Sequence, residues 1–470
     1  MSEIEQRLEE LERLGLSRRL RLVSGPQGPT VLIDGKPALL LCSNNYLGLA
    51  DHPRVREAAA EAAMRWGVGA GASRLVSGTM TIHRRLEESL AEFKGSESCL
   101  LFGSGYMANI GVIGALAGAG DTVFSDELNH ASIVDGCRLS RAEVVVYRHR
   151  DVEHLAWSVR KHGRGENARR LIVTDSVFSM DGDVAPLEEI VELADRHGAR
   201  VMVDEAHATG NLGPGGRGAV AEAGLEHEVD AIVGTLGKAL GSYGAYVCAS
   251  AEMVRYLINT ARPLIYSTAP SPPAVAGALA ALDLLRERPH RVERLRSNAR
   301  ALRRALAAEG FPVEQADMQI VPLIVGDERT AMRLCQEALE HGVFAQAIRP
   351  PSVPAGSSRL RLTAMASHTA TELEMAATVF GDAAHAIGLE PASLTPAPPE
   401  RQTAIEELDE RVGAYAELPY TELTVSPTHE QPTEQFDVEL HIDADAPVPA
   451  LAAPDAPFDF ERELHDVRAA

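Results

Sequence analysis

The chain has 470 residues, 45% of them hydrophobic and 24% charged, with a formal net charge of -22. Such a length accommodates two or three domains with full cores, and such acidity argues against a nucleic-acid binder, which needs a basic face. No run of about 18 apolar residues occurs, so no membrane span is expected.

The acidity is uneven. Residues 391–470 hold 18 Asp and Glu against 4 Arg. The preceding part is only mildly acidic, as in an ordinary cytoplasmic enzyme. The five cysteines (Cys42, Cys99, Cys137, Cys248 and Cys335) form no CxxC pair. Buried free thiols in a reducing compartment are the simple reading.

Met1 to Leu14 is acidic and helical in pattern, with Ile4, Leu8 and Leu11 on one face, and is not a signal peptide. A Gly-Pro-rich linker, Gly25 to Pro29, leads into a strand pair around Thr30 to Leu41. This makes 1–50 an N-terminal helix and strand segment. From Asp51 onward helical patterns (Pro53 to Trp66, Thr81 to Phe93, Leu187 to His197) alternate with strand-like runs. The runs are Ser98 to Phe102, Thr122 to Phe124, Glu143 to Tyr147, Arg170 to Thr174, Ala199 to Val203, Ala231 to Gly234 and Ala245 to Ala249. Alternation of this kind predicts an α/β domain over 51–266, with a mainly parallel seven-stranded sheet between helices. A smaller α+β domain is expected over 267–389, with an arginine-rich helix from Val292 to Glu309 and strands near Ile320 to Val325 and Ser358 to Thr363. Residues 390–470 carry 11 of the 27 prolines. They read as a disordered acidic tail, in which Phe436 to Ile442 alternates like a docking strand.

Ligands of open α/β sheets bind outside the carboxyl ends of the strands, so the polar residues there come first. Leu100 to Asn109 ends a strand in Gly-Ser-Gly and opens a helix, whose free N–H groups suit a phosphate. It also matches the loose dinucleotide fingerprint, a weak signal so far into the chain. Asn129-His130-Ala131-Ser132 follows another strand; its imidazole suits stacking on a flat cofactor, or is an ordinary loop histidine. Ser176 to Asp183 closes a further strand with hydroxyls and carboxylates, or is simply a turn. Val201 to Asp204 ends a buried strand in a carboxylate, with His207 three residues on. A carboxylate there can keep a pyridinium protonated. The alternatives are a structural Asp or a metal set of Asp204, Glu205 and His207, for which no further ligands stand at metal spacing. Ala231 to Ser242 ends a strand in Gly-Thr-Leu-Gly and then Lys238. Desolvation among glycines and apolar residues lowers an amine's pKa, as a Schiff-base lysine needs; the alternative is a surface lysine. The segment is not a P-loop, because the glycine spacing is wrong and Ala239 stands where Ser or Thr is needed. Arg361, alternating with apolar residues in Arg359 to Thr363, suits bidentate clamping of a carboxylate, or faces solvent.

Together Ser43-Asn44-Asn45-Tyr46-Leu47-Gly48-Leu49, Gly71-Ala72-Ser73-Arg74-Leu75-Val76-Ser77-Gly78, Asp204-Glu205-Ala206-His207-Ala208-Thr209-Gly210 and Gly234-Thr235-Leu236-Gly237-Lys238-Ala239-Leu240-Gly241 resemble the α-oxoamine synthases. These are fold-type I enzymes that use pyridoxal 5'-phosphate, and the resemblance runs from about Leu20 to Leu389. It implies a catalytic set of Lys238, His130, Asp204 and His207. Lys238 would be the Schiff-base lysine, Asp204 would pair with the pyridine nitrogen, His207 with the phenolic oxygen, and His130 would stack on the ring. Ser179 would contact the cofactor. Gly105, Tyr106 and Thr235 would hold its phosphate, with Ser267 and Thr268 reaching in from the other subunit of a homodimer. Asn44, His130 and Arg361 would bind the amino acid, while Arg21 and Ser352 would lie on the acyl side.

The resemblance further implies decarboxylative condensation of an amino acid with an acyl thioester. The segment Ile348 to Pro354 is similar to members that join L-alanine to a pimeloyl thioester in the biotin pathway. Ser352 stands where those members commonly have threonine, the acidic tail is not a usual part, and Thr79 to His83 is similar to members with other acyl donors. Glycine with an acetyl thioester, or serine with a long acyl chain, are the alternatives within the family. An aminotransferase or a non-catalytic scaffold are those outside it.

Overall fold

The computed structural model describes residues 2–13, 17–163, 168–350 and 352–394. The expectations for the acidic tail beyond Leu394, its docking strand included, lie outside the described residues. The helix Glu3–Arg13 forms as its pattern predicts, yet no residue of it is buried.

Strands β1 (Val23–Ser24), β2 (Thr30–Ile33) and β3 (Lys36–Leu40) make an antiparallel meander. The central sheet takes β4 (Ser98–Phe102), β5 (Thr122–Asp126), β6 (Glu143–Tyr147), β7 (Arg170–Asp175), β8 (Arg200–Asp204), β9 (Ala231–Thr235) and β10 (Ala245–Ala249). Its spatial order is β4-β10-β9-β8-β7-β5-β6. All pairings from β9 to β6 are parallel, whereas β10 runs antiparallel to both its neighbours. The mainly parallel seven-stranded sheet expected from the sequence is therefore present, with one reversed strand. Beyond it lie β11 (Ile320–Gly326), β12 (Val343–Phe344), β13 (Gln346–Ile348) and β14 (Ser358–Thr363). A three-stranded antiparallel sheet takes β11, β14 and β13, while β12 pairs parallel with β3. The short strands β12 and β13 were not legible in the sequence, because two or three residues carry no period.

Side chains alternate between the faces of a strand. Phe124, Ile172, Val201, Val203, Ile232 and Tyr246 enter one hydrophobic cluster. Their neighbours Val123, Leu171, Val173, Met202, Val233 and Val247 enter another. The sheet is thus buried on both sides, which is why its strands read as continuous apolar runs.

Burial has a consequence at the carboxyl ends. The adjacent strands β5, β7 and β8 end in Asp126, Asp175 and Asp204, all buried. Close by, Glu205 accepts from buried Lys94 at the end of the helix Thr81–Lys94, and from the Val220 backbone N–H at 2.7 Å. Lys94 also donates to the Arg217 carbonyl oxygen. This pair ties the end of β8 to two layers of chain around it. Removing one partner of a buried ion pair strands the other. Lys94→Met should therefore cost about 3–5 kcal/mol, read as a lowered midpoint in urea unfolding; a loss below about 1 kcal/mol would show that the pair behaves like an exposed one.

Candidate active site

Lys238 follows β9 in a turn held by its own backbone, with Ser242 N donating to the Leu236 carbonyl at 2.8 Å and Gly241 N to that of Lys238 at 2.9 Å. Two of the glycines around Lys238 are required by the chain's own packing. A Cβ on Gly241 would lie 2.4 Å from the Ala50 nitrogen, and one on Gly234 2.2 Å from the Tyr246 ring. They let the lysine turn press against the chain's own Asn44–Ala50 segment and its neighbouring strand. Asn45 shapes that segment, its side-chain oxygen accepting from Leu49 N at 2.9 Å and Ala50 N at 3.1 Å.

A continuous hydrogen-bonded chain results. Lys238 Nζ lies 2.8 Å from His207 Nε2, and His207 Nδ1 lies 2.7 Å from the Tyr46 hydroxyl. The same hydroxyl lies 2.9 Å from Asn44 Oδ1 and accepts from Arg361 Nη2 at 3.2 Å. Arg361 Nη1 reaches Asn44 Oδ1 at 3.3 Å, and Arg361 Nε donates to the Ser179 carbonyl. Lys238, His207, Asn44, Arg361 and Ser179, named separately from the sequence, are thus brought together. Tyr46, fully buried at the junction, was quoted in a motif but given no role.

Burial pulls the Lys238 amine down to about 8, against the charges of Asp204 and Asp175, with Arg361 assisting the decrease. Burial, with the Lys238, Arg361 and His130 charges, holds His207 well below the usual imidazole range, so the ring is neutral. Asp204 accepts from Asn109 Nδ2 at 2.7 Å and from Ala206 N at 2.8 Å, and makes no ion pair among the described residues. Asn109 also donates to Ser132 Oγ at 2.8 Å, and Ser132 Oγ lies 2.7 Å from His130 Nδ1. Asp175 accepts from His130 N at 2.7 Å; burial and the Asp204 charge push its carboxyl well above the usual range. Asn109, Ser132 and Asp175 were not singled out from the sequence. Only Asp175 left a signal there, as a second aspartate closing a buried strand beside Asp204.

Ser104 caps the helix Gly105–Leu116, its hydroxyl accepting from Met107 N at 3.2 Å. A Cβ on Gly105 would meet nothing within 4 Å, so the helix start is open. The Tyr106 side chain is directed elsewhere. Its hydroxyl donates to Asp135, and that bond pushes it up to about 12. Thr235 Oγ1 donates to the Gly244 carbonyl at 3.2 Å and accepts from Gly237 N at 3.1 Å. Ser267 donates to the Pro263 carbonyl, and Thr268 bridges to Ser73. Arg21 lies with Asp34 (3.4 Å), Gln336 (3.1 Å) and the Phe344 ring, and Ser352 is exposed. Among the described residues neither meets the lysine cluster through a hydrogen bond. Among the described residues no group of three or more His, Cys, Asp or Glu is placed to hold a metal ion.

The donor set fits pyridoxal phosphate. A lowered-pKa amine, a buried carboxylate with no cation of its own and an open helix start meet the needs of an aldehyde, a ring N–H and a phosphate. The comparisons agree. A family model described as aminotransferase class I and II matches residues 36–380. The chain belongs to that family. Within it, the chain is 52% identical over 387 residues to an 8-amino-7-oxononanoate synthase of Geobacter metallireducens, covering 82% of this chain and 98% of the relative. A solved serine palmitoyltransferase with pyridoxal phosphate superposes with a TM-score of 0.78 at 36% identity, over 82% of this chain and 98% of that one. An 8-amino-7-oxononanoate synthase from Francisella tularensis gives 0.64 at 26%, over 75% and 99%. The family is one of α-oxoamine synthases and other pyridoxal phosphate enzymes, and the fold is their fold type I.

A second network secures the loop that carries Ser179. His149 Nδ1 lies 2.9 Å from Asp126 and Nε2 2.7 Å from Asp183. Asp181 pairs with buried Arg359 on β14. The loop is thereby fixed to the end of β5 on one side and to β14 on the other.

Two pH-dependent outcomes follow from these shifts. Capture of pyridoxal phosphate by cofactor-free protein should accelerate as pH rises through about 8, where the Lys238 amine loses its proton. A midpoint near the ordinary lysine value would contradict the burial argument. Burial opposes the charge on His149, but hydrogen bonds and charges from Asp126 and Asp183 raise it to about 10. A raised cation stabilises fully below its unfolded value and loses that contribution as pH climbs through its folded one. The stability gap between the wild type and His149→Gln should therefore be widest below about pH 6.5 and shrink toward pH 10, as thermal melts across that range would show; a gap that widens with pH refutes it.

Proposed function

We propose that this chain condenses L-alanine with a pimeloyl thioester, releasing carbon dioxide and the free thiol and forming 8-amino-7-oxononanoate, a step of biotin biosynthesis. The observation that supports this most is the 52% identity to an 8-amino-7-oxononanoate synthase spanning almost that whole relative, with Lys238, His207 and Arg361 joined through Tyr46 and the Asp204 charge acting on Lys238. When bound, pyridoxal phosphate supplies an electron sink for the carbanion formed at the amino acid's α-carbon.

The chain's own residues do the rest. Lys238 would hold the aldehyde until the amino acid's own amine takes its place, and the lysine amine so freed, with a pKa of about 8, would take the α-proton and later return it. Asp204 keeps a proton on the ring nitrogen, since a carboxylate with no other cation stabilises that charge. His207 donates to the phenolic oxygen, and His130 covers the ring face. Ser179 lines the cofactor. Gly105, Tyr106 and Thr235 bind the phosphate through the helix start and the Thr235 hydroxyl; for Tyr106 the backbone N–H is the available donor, because its hydroxyl is engaged by Asp135. Arg361 and Asn44, already oriented by Tyr46 and Ser179, clamp the alanine carboxylate. Arg21 and Ser352 would meet the acyl substrate at the outer part of the site.

The functional unit is a cytoplasmic homodimer, in which Ser267 and Thr268 of each copy complete the other's phosphate site. Exposed Val76 (80%), Tyr266 (72%) and Tyr243 (66%) support a covered surface near these segments. Four of the five cysteines are buried and all are free, as a reducing compartment allows.

A second reading has one observation in its favour: the solved serine palmitoyltransferase superposes with a higher TM-score than the Francisella synthase. A panel of alanine, glycine and serine against acetyl, pimeloyl and palmitoyl thioesters, read by thiol release and product mass, separates the two. Alanine with the pimeloyl thioester should exceed every other pair by at least about tenfold in kcat/KM. Preference for serine with the palmitoyl thioester would overturn the reading.

A further inference from the structure

Arg359 is buried on β14, two residues before Arg361, and takes no part in the proposed chemistry. Residues two apart on a strand share a face, and both of these arginines reach the same loop. Arg361 Nε donates to the Ser179 carbonyl, and Arg359 Nη1 pairs with Asp181. Arg359 Nε also donates to the Ser357 carbonyl at 3.0 Å, which fixes its own direction. Two alternate residues of a strand thus grip two alternate residues of a loop.

The grip at Ser179 decides how Arg361 is presented. A guanidinium offers one N–H on Nε and two on each Nη, all in one plane. The Ser179 carbonyl takes the N–H on Nε. Asn44 Oδ1 takes one on Nη1 at 3.3 Å, and the Tyr46 hydroxyl takes one on Nη2 at 3.2 Å. Among the described residues one N–H on each Nη is left without an acceptor, and a carboxylate can engage such a pair bidentately. Because the group is planar, holding Nε at a carbonyl sets the direction of that pair. The same end of Arg361 leads through Tyr46 and His207 to Lys238.

The Ser179 carbonyl is only as fixed as its loop. One end is secure, since Ser176 N and Oγ both donate to the Asp204 carbonyl at 2.8 Å. The other end is held by Asp183, 2.7 Å from His149 Nε2. Between them stands the Arg359–Asp181 pair, two residues from Ser179. Replacing a buried ion pair by apolar residues of similar size is often neutral for stability or better, so stability alone does not account for this one.

We propose that Arg359 and Asp181 are positioning residues for the amino-acid substrate: their ion pair holds the Ser179 carbonyl on Arg361 Nε and so keeps the free N–H pair of Arg361 aimed at the substrate carboxylate. The inference rests on the reading that Arg361 clamps that carboxylate. A pair that served stability alone would affect every ligand alike, whereas this one acts on ligands that carry a carboxylate.

The test uses the double variant Arg359→Met/Asp181→Leu, which leaves no charge stranded. Cofactor-loaded wild type and variant are titrated with L-alanine and with L-alaninol, in which a hydroxymethyl group replaces the carboxylate, and Kd is read from the cofactor absorbance. Loss of the orienting bond should raise the alanine Kd about tenfold. The alaninol Kd should stay within about twofold of wild type. In turnover the alanine KM should rise by the same factor, with kcat changing less than about threefold. In cofactor-free protein the amides of 176–183 should exchange hydrogen faster than in the wild type. The inference is overturned if the variant binds alanine as tightly as the wild type, if alaninol weakens as much as alanine, or if exchange in the loop is unchanged. Should the double variant not fold, as judged by circular dichroism, Arg359→Lys, which keeps the charge and loses the planar fork, is measured against the same outcomes. A wild type that responds to serine and not to alanine would overturn the alanine reading alone, and serine with serinol would then take the place of alanine with alaninol. A wild type that responds to no amino acid overturns the reading of Arg361, and this inference with it.

Discussion

Desolvation of one amine beside one neutral imidazole is the constraint on which the site depends. The Lys238 amine lies 2.8 Å from His207 Nε2 and is drawn down to about 8 by burial. A charged imidazole there would repel the lysine, while a charged lysine would need a close anion. The fold resolves this by keeping His207 neutral and ending β8 and β7 in Asp204 and Asp175, whose fields moderate the fall in the lysine's pKa. Buried acids of this kind are costly without partners, and the Asn109, Ala206 and His130 donors meet that cost.

The second constraint is mechanical. Arg361 belongs to the three-stranded sheet, whereas Lys238 and His207 follow strands of the seven-stranded one. Tyr46 lies between them on a segment pinned by Asn45 and by Gly241's close approach to Ala50. The loop Ser176–Asp183 braces the same junction, through Ser179 to Arg361, Asp181 to Arg359 and Asp183 to His149. In the proposed roles, substrate binding and proton transfer would fall to different sheets, whose spacing is set by short polar contacts.

Much of this was legible in the sequence. The seven strands of the central sheet could be read because each is a continuous apolar run closed by polar residues, and four of their ends carry candidate site groups: Gly105, His130, Asp204 and Lys238. Arg361 could be read from its alternation with apolar residues on a strand, and the resemblance supplied Asn44. What could not be read was partnership. Nothing in the order of residues says that Tyr46 would join His207, 161 positions away, to Arg361, 315 positions away. Nor does it say that His149 would sit between two aspartates. The order of residues is equally silent on the close approach of Tyr246 to Gly234 and of Ala50 to Gly241.

The chain contains only four lysines, Lys36, Lys94, Lys161 and Lys238. Lys94 is held by Glu205, and Lys36 and Lys161 are exposed. Borohydride reduction of the cofactor-loaded protein, followed by peptide mass mapping, therefore tests the central claim with little ambiguity. The account predicts one phosphopyridoxyl group per chain, on the peptide containing Lys238. Labelling of Lys36 or Lys161 in its place, or no stable label at all, would contradict it.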